Sequence, residues 1–250
     1  MTGPRPSQAR IYNRLLGGRD HLTPDRLVAD ELSDVMPAVG SIAIASRNFL
    51  LRAVDHLAQA GARQFLDVGC GLPVGAPVHK VARAVAPRAR VVYVDNDPEV
   101  AAYARALPAR RGGLGVVEGD MHDVETMLAA AADTLNLQQP VVVLMGAVLH
   151  FTEAADTILR ELAERLAAGS HVVLSHAEAG HPHMEAAAQM YRRMVGPVVL
   201  RTATELGVLL KGWDLIGPGI VSAVDWEPGC EPPSARSPLP VLAAVATVPA

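Results

Sequence analysis

The chain has 250 residues, half of them hydrophobic and 4% aromatic, which suits one large α/β domain with a sizeable core. The formal net charge is −4, with 22 basic against 26 acidic residues, so composition gives no support for a nucleic-acid or anionic-membrane partner. Two cysteines are too few for a disulfide scaffold, and we expect a cytoplasmic protein without a secretory signal or a membrane span.

The first 62 residues are predicted to form a helical unit that precedes the sheet. Residues 1 to about 22 are polar and interrupted by glycine. The run Thr23–Asp25 predicts the start of a helix that continues to about Val35, with Thr23 as its N-cap and a proline in its first turn. A second helix, capped by Ser41 and ended by Gly61, carries apolar residues at three- and four-residue spacing.

From residue 63 onward, short apolar runs alternate with helical segments. Runs without polar alternation predict strands that are buried on both faces, and a strand–helix–strand order predicts a parallel sheet with right-handed crossovers. The predicted strands are Gln64–Val68, Arg90–Val94, Gly115–Glu118, Val141–Met145 and His171–Ser175, and the predicted helices lie near 76–86, 98–107, 123–132 and 153–167.

The end of the chain has a different pattern. After a predicted helix at Thr204–Leu210, two apolar runs, Ile220–Trp226 and Val241–Val248, are separated by a Pro- and Ser-rich loop. Two consecutive strands without a crossover helix predict an antiparallel pair at one edge of the sheet. Residues 63–250 are therefore predicted to form a doubly wound, mostly parallel, seven-stranded sheet, the Rossmann-like layout of class I methyltransferases.

A glycine-rich turn follows the first predicted strand. Gly69 and Gly71 would let the backbone approach a ligand closely. A dinucleotide site would need a third glycine where Val74 stands, which argues against a pyrophosphate. Asp67, directly before the glycines, suits a ligand that carries an ammonium group and a sulfonium, although it could equally cap the turn.

Acidic residues also end the second and third strands. Asp95, followed by Asn96, is placed to bind both hydroxyls of a ribose, a contact that NAD and adenosylmethionine both require. Asp120 can accept a hydrogen bond from an adenine amino group, and Met121 can pack on the ring. Asp97 could serve as a ligand or as the N-cap of the next helix.

These residues belong to longer strings that resemble a known family, the actinobacterial S-adenosylmethionine-dependent methyltransferases first catalogued as a domain of unknown function, DUF574. The resemblance covers nearly the whole chain. Its most specific strings are YNRLLGGRD at 12–20, FLDVGCGLP at 65–73, YVDNDP at 93–98 and AVLHF at 147–151. The chain departs from the family pattern at His21, Ser46, Cys70 and residues 74–77.

The resemblance implies S-adenosylmethionine as the cofactor, with Arg47 on its carboxylate and Gly146 beside it. It implies in-line transfer of a methyl group to a small-molecule acceptor, and association with the family suggests a role in secondary metabolism. His150, directly after the fourth strand, is the first choice for a base or an acceptor-orienting group, and His176 ends the fifth strand in the same way.

The N-terminal segment is a candidate lid. Gly17 and Gly18 could act as its hinge, which would turn Tyr12 and Asp20 toward the cofactor, so Tyr12 is a further candidate for catalysis. The alternative is a surface strap that merely packs on the sheet. We predict no metal site, because the histidines that follow the fifth strand match no compact ligand motif.

Three other functions remain open at this point. The chain could bind adenosylmethionine as a sensor, it could use the cofactor to steer a cyclisation without moving methyl, or, less favoured, it could be an NAD(P)-binding oxidoreductase. The sequence does not identify the acceptor atom or the oligomeric state.

Overall fold

The structure is a computed structural model, and it describes residues 5–106, 112–230 and 239–249. The helices are α1 Gln8–Leu15, α2 Thr23–Val35, α3 Val39–Gln59, α4 Val78–Val85, α5 Pro98–Arg105, α6 Val124–Ala131, α7 Ala155–Arg165, α8 Pro182–Met194 and α9 Ala203–Leu209. The strands are β1 Gln64–Val68, β2 Arg90–Asp95, β3 Leu114–Glu118, β4 Val142–Gly146, β5 His171–Ala177, β6 Asp214–Leu215, β7 Val221–Ser222 and β8 Val241–Thr247.

The strands form one mixed sheet in the order β3-β2-β1-β4-β5-β8-β6, with β7 also paired to β8. The first five strands are parallel, and β8 runs antiparallel to β5. From β1 the chain first adds β2 and β3 on one side, and it then crosses to add β4 and β5 on the other side of β1. Doubly wound sheets bind ligands at such a switch point, outside the carboxyl ends of the strands. The predicted fold class is confirmed.

The far edge of the sheet differs from the prediction. The predicted strand Ile220–Trp226 contains only the two paired residues of β7, while a second two-residue strand, β6, pairs with the other half of β8. The strand does not continue to Trp226, because the chain turns after Ser222, whose carbonyl accepts the Asp225 N–H at 2.9 Å. The Trp226 side chain is fully buried against Phe49, with ring centroids 5.3 Å apart. Most of the predicted loop before β8, residues 231–238, lies outside the described residues.

Both predicted N-caps of the early helices are wrong. Thr23 lies inside α2, whose N-cap is Leu22, because the buried carboxylate of Asp25 accepts the Leu22 N–H at 2.8 Å. Ser41 lies inside α3, which begins two residues earlier. The polar segment before residue 22 also contains a helix, α1, which ends in a Schellman motif at Gly17, a glycine with φ +81°.

The N-terminal helices share a hydrophobic core with one face of the sheet. Ile11 of α1, Phe49 of α3 and Phe65 of β1 belong to the same buried cluster, while Leu66 and Met145 face a second cluster on the other side. The division of the chain into residues 1–62 and 63–250 stays a prediction. None of the described helices combines the length and apolar character that crossing a bilayer requires.

Candidate active site

A cavity of about 590 Å³ lies over the carboxyl ends of the parallel strands, within the usual size range of small-molecule sites. The turns after β1, β2 and β3 line one end, which we call the cofactor end. Side chains from α2, α3, α8 and the turn after β4 line the other, which we call the acceptor end. Residues 6–15 of the N-terminal segment contribute side chains that also line the cavity.

Gly69 and Gly71 lie in the turn after β1, where the sequence predicts that the backbone approaches a ligand closely. Gly69 and Gly71 both lie in the left-handed region, at φ +65° and +64°. A Cβ atom on Gly69 would overlap the side chain of Val148, whereas one on Gly71 would meet nothing within 4 Å. Both glycines line the cavity, and the backbone there is open to a ligand because neither carries a side chain.

Asp95 and Asn96 line the cavity beside this turn. The carboxylate of Asp95 accepts the backbone N–H groups of Gly71 at 2.9 Å and Asp97 at 3.0 Å, which orients it and leaves acceptor positions free. Burial raises the pKa of Asp95 despite these hydrogen bonds. Asp97 is the N-cap of α5 and accepts the Glu99 N–H at 2.9 Å, as one of its two sequence interpretations predicted.

Asp120 and Met121 lie together at the end of β3 and also line the cavity. The Asp120 carboxylate bonds His122 twice, to its backbone N–H at 3.0 Å and to its ring Nδ1 at 2.6 Å. Partial burial opposes ionisation, but hydrogen bonds from His122 and Asn96 outweigh it and lower the pKa of Asp120. Asp120 is therefore ionised and able to accept further hydrogen bonds.

Asp67 and Arg47, both predicted cofactor contacts, are not among the residues that line the cavity. Asp67 is buried in β1, and burial raises its pKa to about 6, while the nearby charge of Arg47 opposes this rise. Arg47 donates to the carbonyl of Ala76 at 3.2 Å. The roles of Asp67 and Arg47 toward the cofactor stay predictions.

The acceptor end is apolar and partly aromatic. The ring of Phe151 stacks on that of Tyr191, with centroids 5.5 Å apart and planes inclined by 26°. Leu32, Ile42 and Met184 contribute aliphatic side chains. Among the described residues that line the cavity, the only Asp, Glu, Lys or Arg residues belong to the cofactor end, so the acceptor end carries no formal charge.

His150 lies in a short helical turn, Leu149–Phe151, that follows β4, and its side chain lines the cavity. Burial lowers its pKa to about 3, and the neighbouring His176 and Arg201 add to the effect. Its Nδ1 atom is buried and has no hydrogen-bond partner among the described residues. The imidazole is therefore neutral at physiological pH.

His176 also lines the cavity, 5.7 Å from His150 between ring centroids. Its two ring nitrogens are both in hydrogen bonds within the protein, Nδ1 with the Ala177 carbonyl at 2.8 Å and Nε2 with Arg201 at 2.8 Å. Burial lowers its pKa to about 4. A catalytic role for His176 stays a prediction, and His150 is the less engaged of the two.

The N-terminal segment is bonded to α2 and α5 beside the cavity that it lines. Ser7 donates to Asp97 at 2.9 Å, and Arg10 binds Asp25 and Glu99, each at 2.7 Å. Tyr12 lines the cavity, as predicted, and donates to the Ala43 carbonyl at 3.3 Å.

Asp20 was also predicted to face the pocket but lies outside it. Its backbone N–H donates to the side chain of Asn13 at 3.0 Å, and its carboxylate accepts from Tyr103 at 3.4 Å. These contacts tie the segment after Gly17 and Gly18 to α1 and α5, and Asp20 is not among the residues that line the cavity.

Two serines line the cavity as a hydrogen-bonded pair, a pairing that sequence analysis missed, since it named Ser46 only as a departure from the family pattern. The hydroxyls of Ser46 and Ser175 are 2.6 Å apart, and Ser175 also accepts the N–H of Ala147 at 2.9 Å. Ala147 has a left-handed φ of +57°, a conformation that a residue with a Cβ rarely adopts. Gly146, which lines the cavity as predicted, is packed so closely against Leu50 of α3 that a Cβ would lie 2.7 Å from it.

The described residues contain no group of three or more His, Cys, Asp or Glu side chains arranged to hold a metal ion. The rings of His181 and His183 lie 5.8 Å apart, and His183 is bonded to the Val35 carbonyl.

Comparison with known proteins identifies the family of this chain. The family described as S-adenosyl methyltransferase matches residues 1–249. The chain belongs to this family. A DUF574 family protein from Streptomyces avermitilis is 35% identical, with a TM-score of 0.90 and 98% of each chain covered. A Thermobifida fusca YX protein is 32% identical, with a TM-score of 0.92 and coverage of 98% of this chain and 96% of the other.

More distant structures share the fold of this methyltransferase. The 1,6-didemethyltoxoflavin-N1-methyltransferase of Burkholderia thailandensis is 17% identical, with a TM-score of 0.50 over 93% of each chain. Among curated proteins, none matches the sequence. The family match confirms S-adenosylmethionine as the cofactor.

The residues of this methyltransferase fit that cofactor. The open backbone at Gly69 and Gly71 leaves room for the methionyl part, and the free acceptor positions of Asp95 suit two ribose hydroxyls. Asp120 is ionised and lines the same end, and it would accept a hydrogen bond from an adenine amino group.

Proposed function

We propose that this methyltransferase methylates a small, uncharged and largely apolar acceptor. The methyl group is added to the oxygen of an O–H group or the nitrogen of an N–H group, and His150 receives the proton. The observation that carries this proposal is the composition of the acceptor end, where no described lining residue is Asp, Glu, Lys or Arg. A cytoplasmic location and a role in secondary metabolism, predicted from the sequence, stay predictions.

The charge of the acceptor follows from desolvation. An ionised group that moves from water into an apolar site without a partner loses several kcal/mol of hydration free energy. A loss of this size opposes the binding of a small charged acceptor. Outside the cofactor end, the polar side chains that line the cavity are neutral, among them the imidazoles of His150 and His176 and the hydroxyls of Tyr12, Ser46, Ser175 and Tyr191. A neutral hydroxyl or amine can bond to such groups, whereas a carboxylate, phosphate or ammonium group would find no counter-charge among the described side chains that line this end.

The chemistry requires only modest help from the protein. Bound S-adenosylmethionine supplies an activated methyl group on a positively charged sulfur. His150 lines the cavity in the turn after β4, and as a neutral imidazole it can accept a proton. A weak base suffices, because the acceptor's proton becomes strongly acidic as the new bond to carbon forms. Holding the acceptor in line provides most of the rate acceleration.

The family match favours a methyltransferase over the NAD(P)-binding oxidoreductase that the sequence leaves open. The missing third glycine in the turn after β1 also argues against the oxidoreductase.

The acceptor class is tested with three probes of similar ring size: neutral 2-naphthol, anionic 2-naphthoate and cationic 2-naphthylmethylammonium. Each is incubated with the protein and methyl-labelled cofactor, and label transferred to product is counted.

We expect binding and transfer with 2-naphthol and neither with the two ions. Tighter binding or faster methylation of either ion would overturn the proposed acceptor class. Absence of transfer to all three probes, together with cofactor binding in calorimetry and no probe-induced thermal shift, would also count against it.

A further inference from the structure

Arg201 is a buried guanidinium that does not itself line the cavity. It is 8% exposed and lies in the segment between α8 and α9. Its Nη1 donates to the Leu149 carbonyl at 3.2 Å and bonds His176 Nε2 at 2.8 Å, while its Nη2 donates to the Thr152 carbonyl at 3.1 Å. No carboxylate among the described residues lies within ion-pair distance of it. The guanidinium of Arg201 therefore forms hydrogen bonds with two backbone carbonyls and one imidazole rather than an ion pair.

The contact with Arg201 determines the protonation pattern of His176. A guanidinium has only donors, so Nε2 of His176 must accept. Nδ1 then carries the proton and donates to the Ala177 carbonyl at 2.8 Å. A cation beside the ring also opposes its protonation, so His176 is held as one neutral tautomer.

The same guanidinium fixes the turn that carries His150. The carbonyls it binds, those of Leu149 and Thr152, lie just before and after His150 in the chain. The carbonyl of His150 itself accepts the Val199 N–H at 2.7 Å. Three of the four carbonyls from residue 149 to 152 are thus bonded to residues 199–201, a segment about 50 residues away in sequence.

We propose that Arg201 is a positioning residue for methyl transfer, which holds the turn that bears His150 and keeps His176 in a single neutral tautomer. This inference rests on the proposed role of His150. Arg201 needs the fork of a guanidinium to reach two carbonyls and a ring nitrogen together, and a lysine ammonium cannot reproduce that geometry.

The test compares Arg201→Lys and Arg201→Gln with the wild type in three measurements. Nitrogen-15 NMR of the histidine rings gives the tautomer and titration of His176. Calorimetry gives cofactor affinity, and transfer of labelled methyl to 2-naphthol gives kcat and KM. Arg192→Gln is the matched control, because Arg192 donates to the Val198 carbonyl at 2.7 Å in the same region but touches neither histidine.

For Arg201→Gln we expect a mobile or mixed His176 tautomer that titrates at higher pH than in the wild type. We expect kcat to fall ~10²-fold, the cost of a misplacement of about 1 Å, with little change in KM or cofactor affinity. Arg201→Lys should retain the suppressed titration but lose kcat, and the control should match the wild type.

A wild-type His176 spectrum in both Arg201 variants would overturn the inference, and so would an unchanged kcat beside an altered spectrum. If Arg201→Gln does not fold, as judged by lost cofactor binding, the comparison of Arg201→Lys with the wild type decides alone. Failure of the wild type to methylate would reject the proposed function, whereas the His176 spectrum judges the contact with Arg201 independently.

Discussion

At its cofactor end the cavity is bounded by the turns after β1, β2 and β3, whereas at its acceptor end it is bounded by helices and by one short turn after β4. The side chains of the cofactor end follow directly on strands whose register the sheet fixes, so their relative positions depend on few contacts. The acceptor end depends on packing between α2, α3 and α8 and on Arg201. One end is thus set by backbone pairing and the other by side-chain contacts between distant segments.

The largest expected effect is at His150, in the turn after β4. His150→Gln keeps a side chain of similar size and polarity but cannot take up a proton at neutral pH. We expect turnover with labelled cofactor to fall by about 10²–10⁴-fold, the usual contribution of a general base, while calorimetric cofactor affinity stays within about twofold.

His176→Gln is the comparison for this variant, since His176 already uses both ring nitrogens within the protein. It should lose less turnover than His150→Gln. A greater loss at His176 would assign the base to that residue and weaken the contrast between the two ends.

The cofactor end can be damaged by a single methyl group. Gly69→Ala places a Cβ in a left-handed backbone and against Val148, whereas Gly71→Ala meets only the backbone cost. We expect the free energy of unfolding to fall by about 1–2 kcal/mol for Gly71→Ala and by about 2–5 kcal/mol for Gly69→Ala, because overpacking adds to the conformational term.

Denaturant unfolding measures both, and Val148→Ala provides the internal check. In the Val148→Ala background, the two glycine variants should cost nearly the same. If Gly69→Ala stays more destabilising there, the clash with Val148 is not its cause.

Most of the cofactor end could be predicted from sequence because its signals are local. Asp95 and Asp120 stand directly after apolar runs, and the glycine turn is a string of neighbouring residues. The acceptor end has no such local signal. Nothing in the sequence around Arg201 distinguishes it, since its partners Leu149 and His176 are 52 and 25 residues away.

The same reasoning explains the errors in the early helices. Thr23 is a good N-cap by type, but the buried Asp25 already binds the Leu22 N–H, so α2 starts without a contribution from the Thr23 hydroxyl. Asp25 is held in place by Arg10 and by the Ser7 N–H, contacts that depend on α1 and that local patterns do not contain.

The ion pair between Arg10 and Asp25 connects the N-terminal segment to α2. Removal of this pair tests what holds the segment in place. Arg10→Met leaves the fully buried Asp25 carboxylate without its guanidinium, and we expect a loss of about 1–3 kcal/mol. Arg14→Met, on the same helix, removes only an exposed pair with Asp30 and should cost about 0–1 kcal/mol. Hydrogen exchange of the α1 amides should quicken in the first variant alone.

This ion pair also predicts a pH dependence. The pKa of Asp25 is lowered in the fold, since hydrogen bonds from Arg10, Ser7 and Leu22 outweigh its desolvation. Its stabilising contribution is therefore present above the ordinary carboxyl pKa and is lost as pH falls through the lowered value. Acid titration of Arg10→Met should show a smaller loss than the wild type, and equal losses would exclude this contact as the source.

The smallest effect separates Asp67, which is buried in β1, from the acids that line the cofactor end. Burial raises its pKa to about 6, so in the free protein its contribution to stability is present below the ordinary value of 3.8 and is lost as pH rises through 6. The positively charged cofactor should favour the ionised form, so binding at pH 5 should release a proton and be about tenfold weaker than at pH 7, or ~1.4 kcal/mol. Calorimetry in buffers of different ionisation enthalpy measures that proton, and Asp67→Asn should abolish both the release and the pH dependence. Because Asp95 is unchanged in this variant and its pKa is also raised by burial, a pH dependence that persists would favour Asp95 as the titrating group and leave Asp67 as a structural residue of β1.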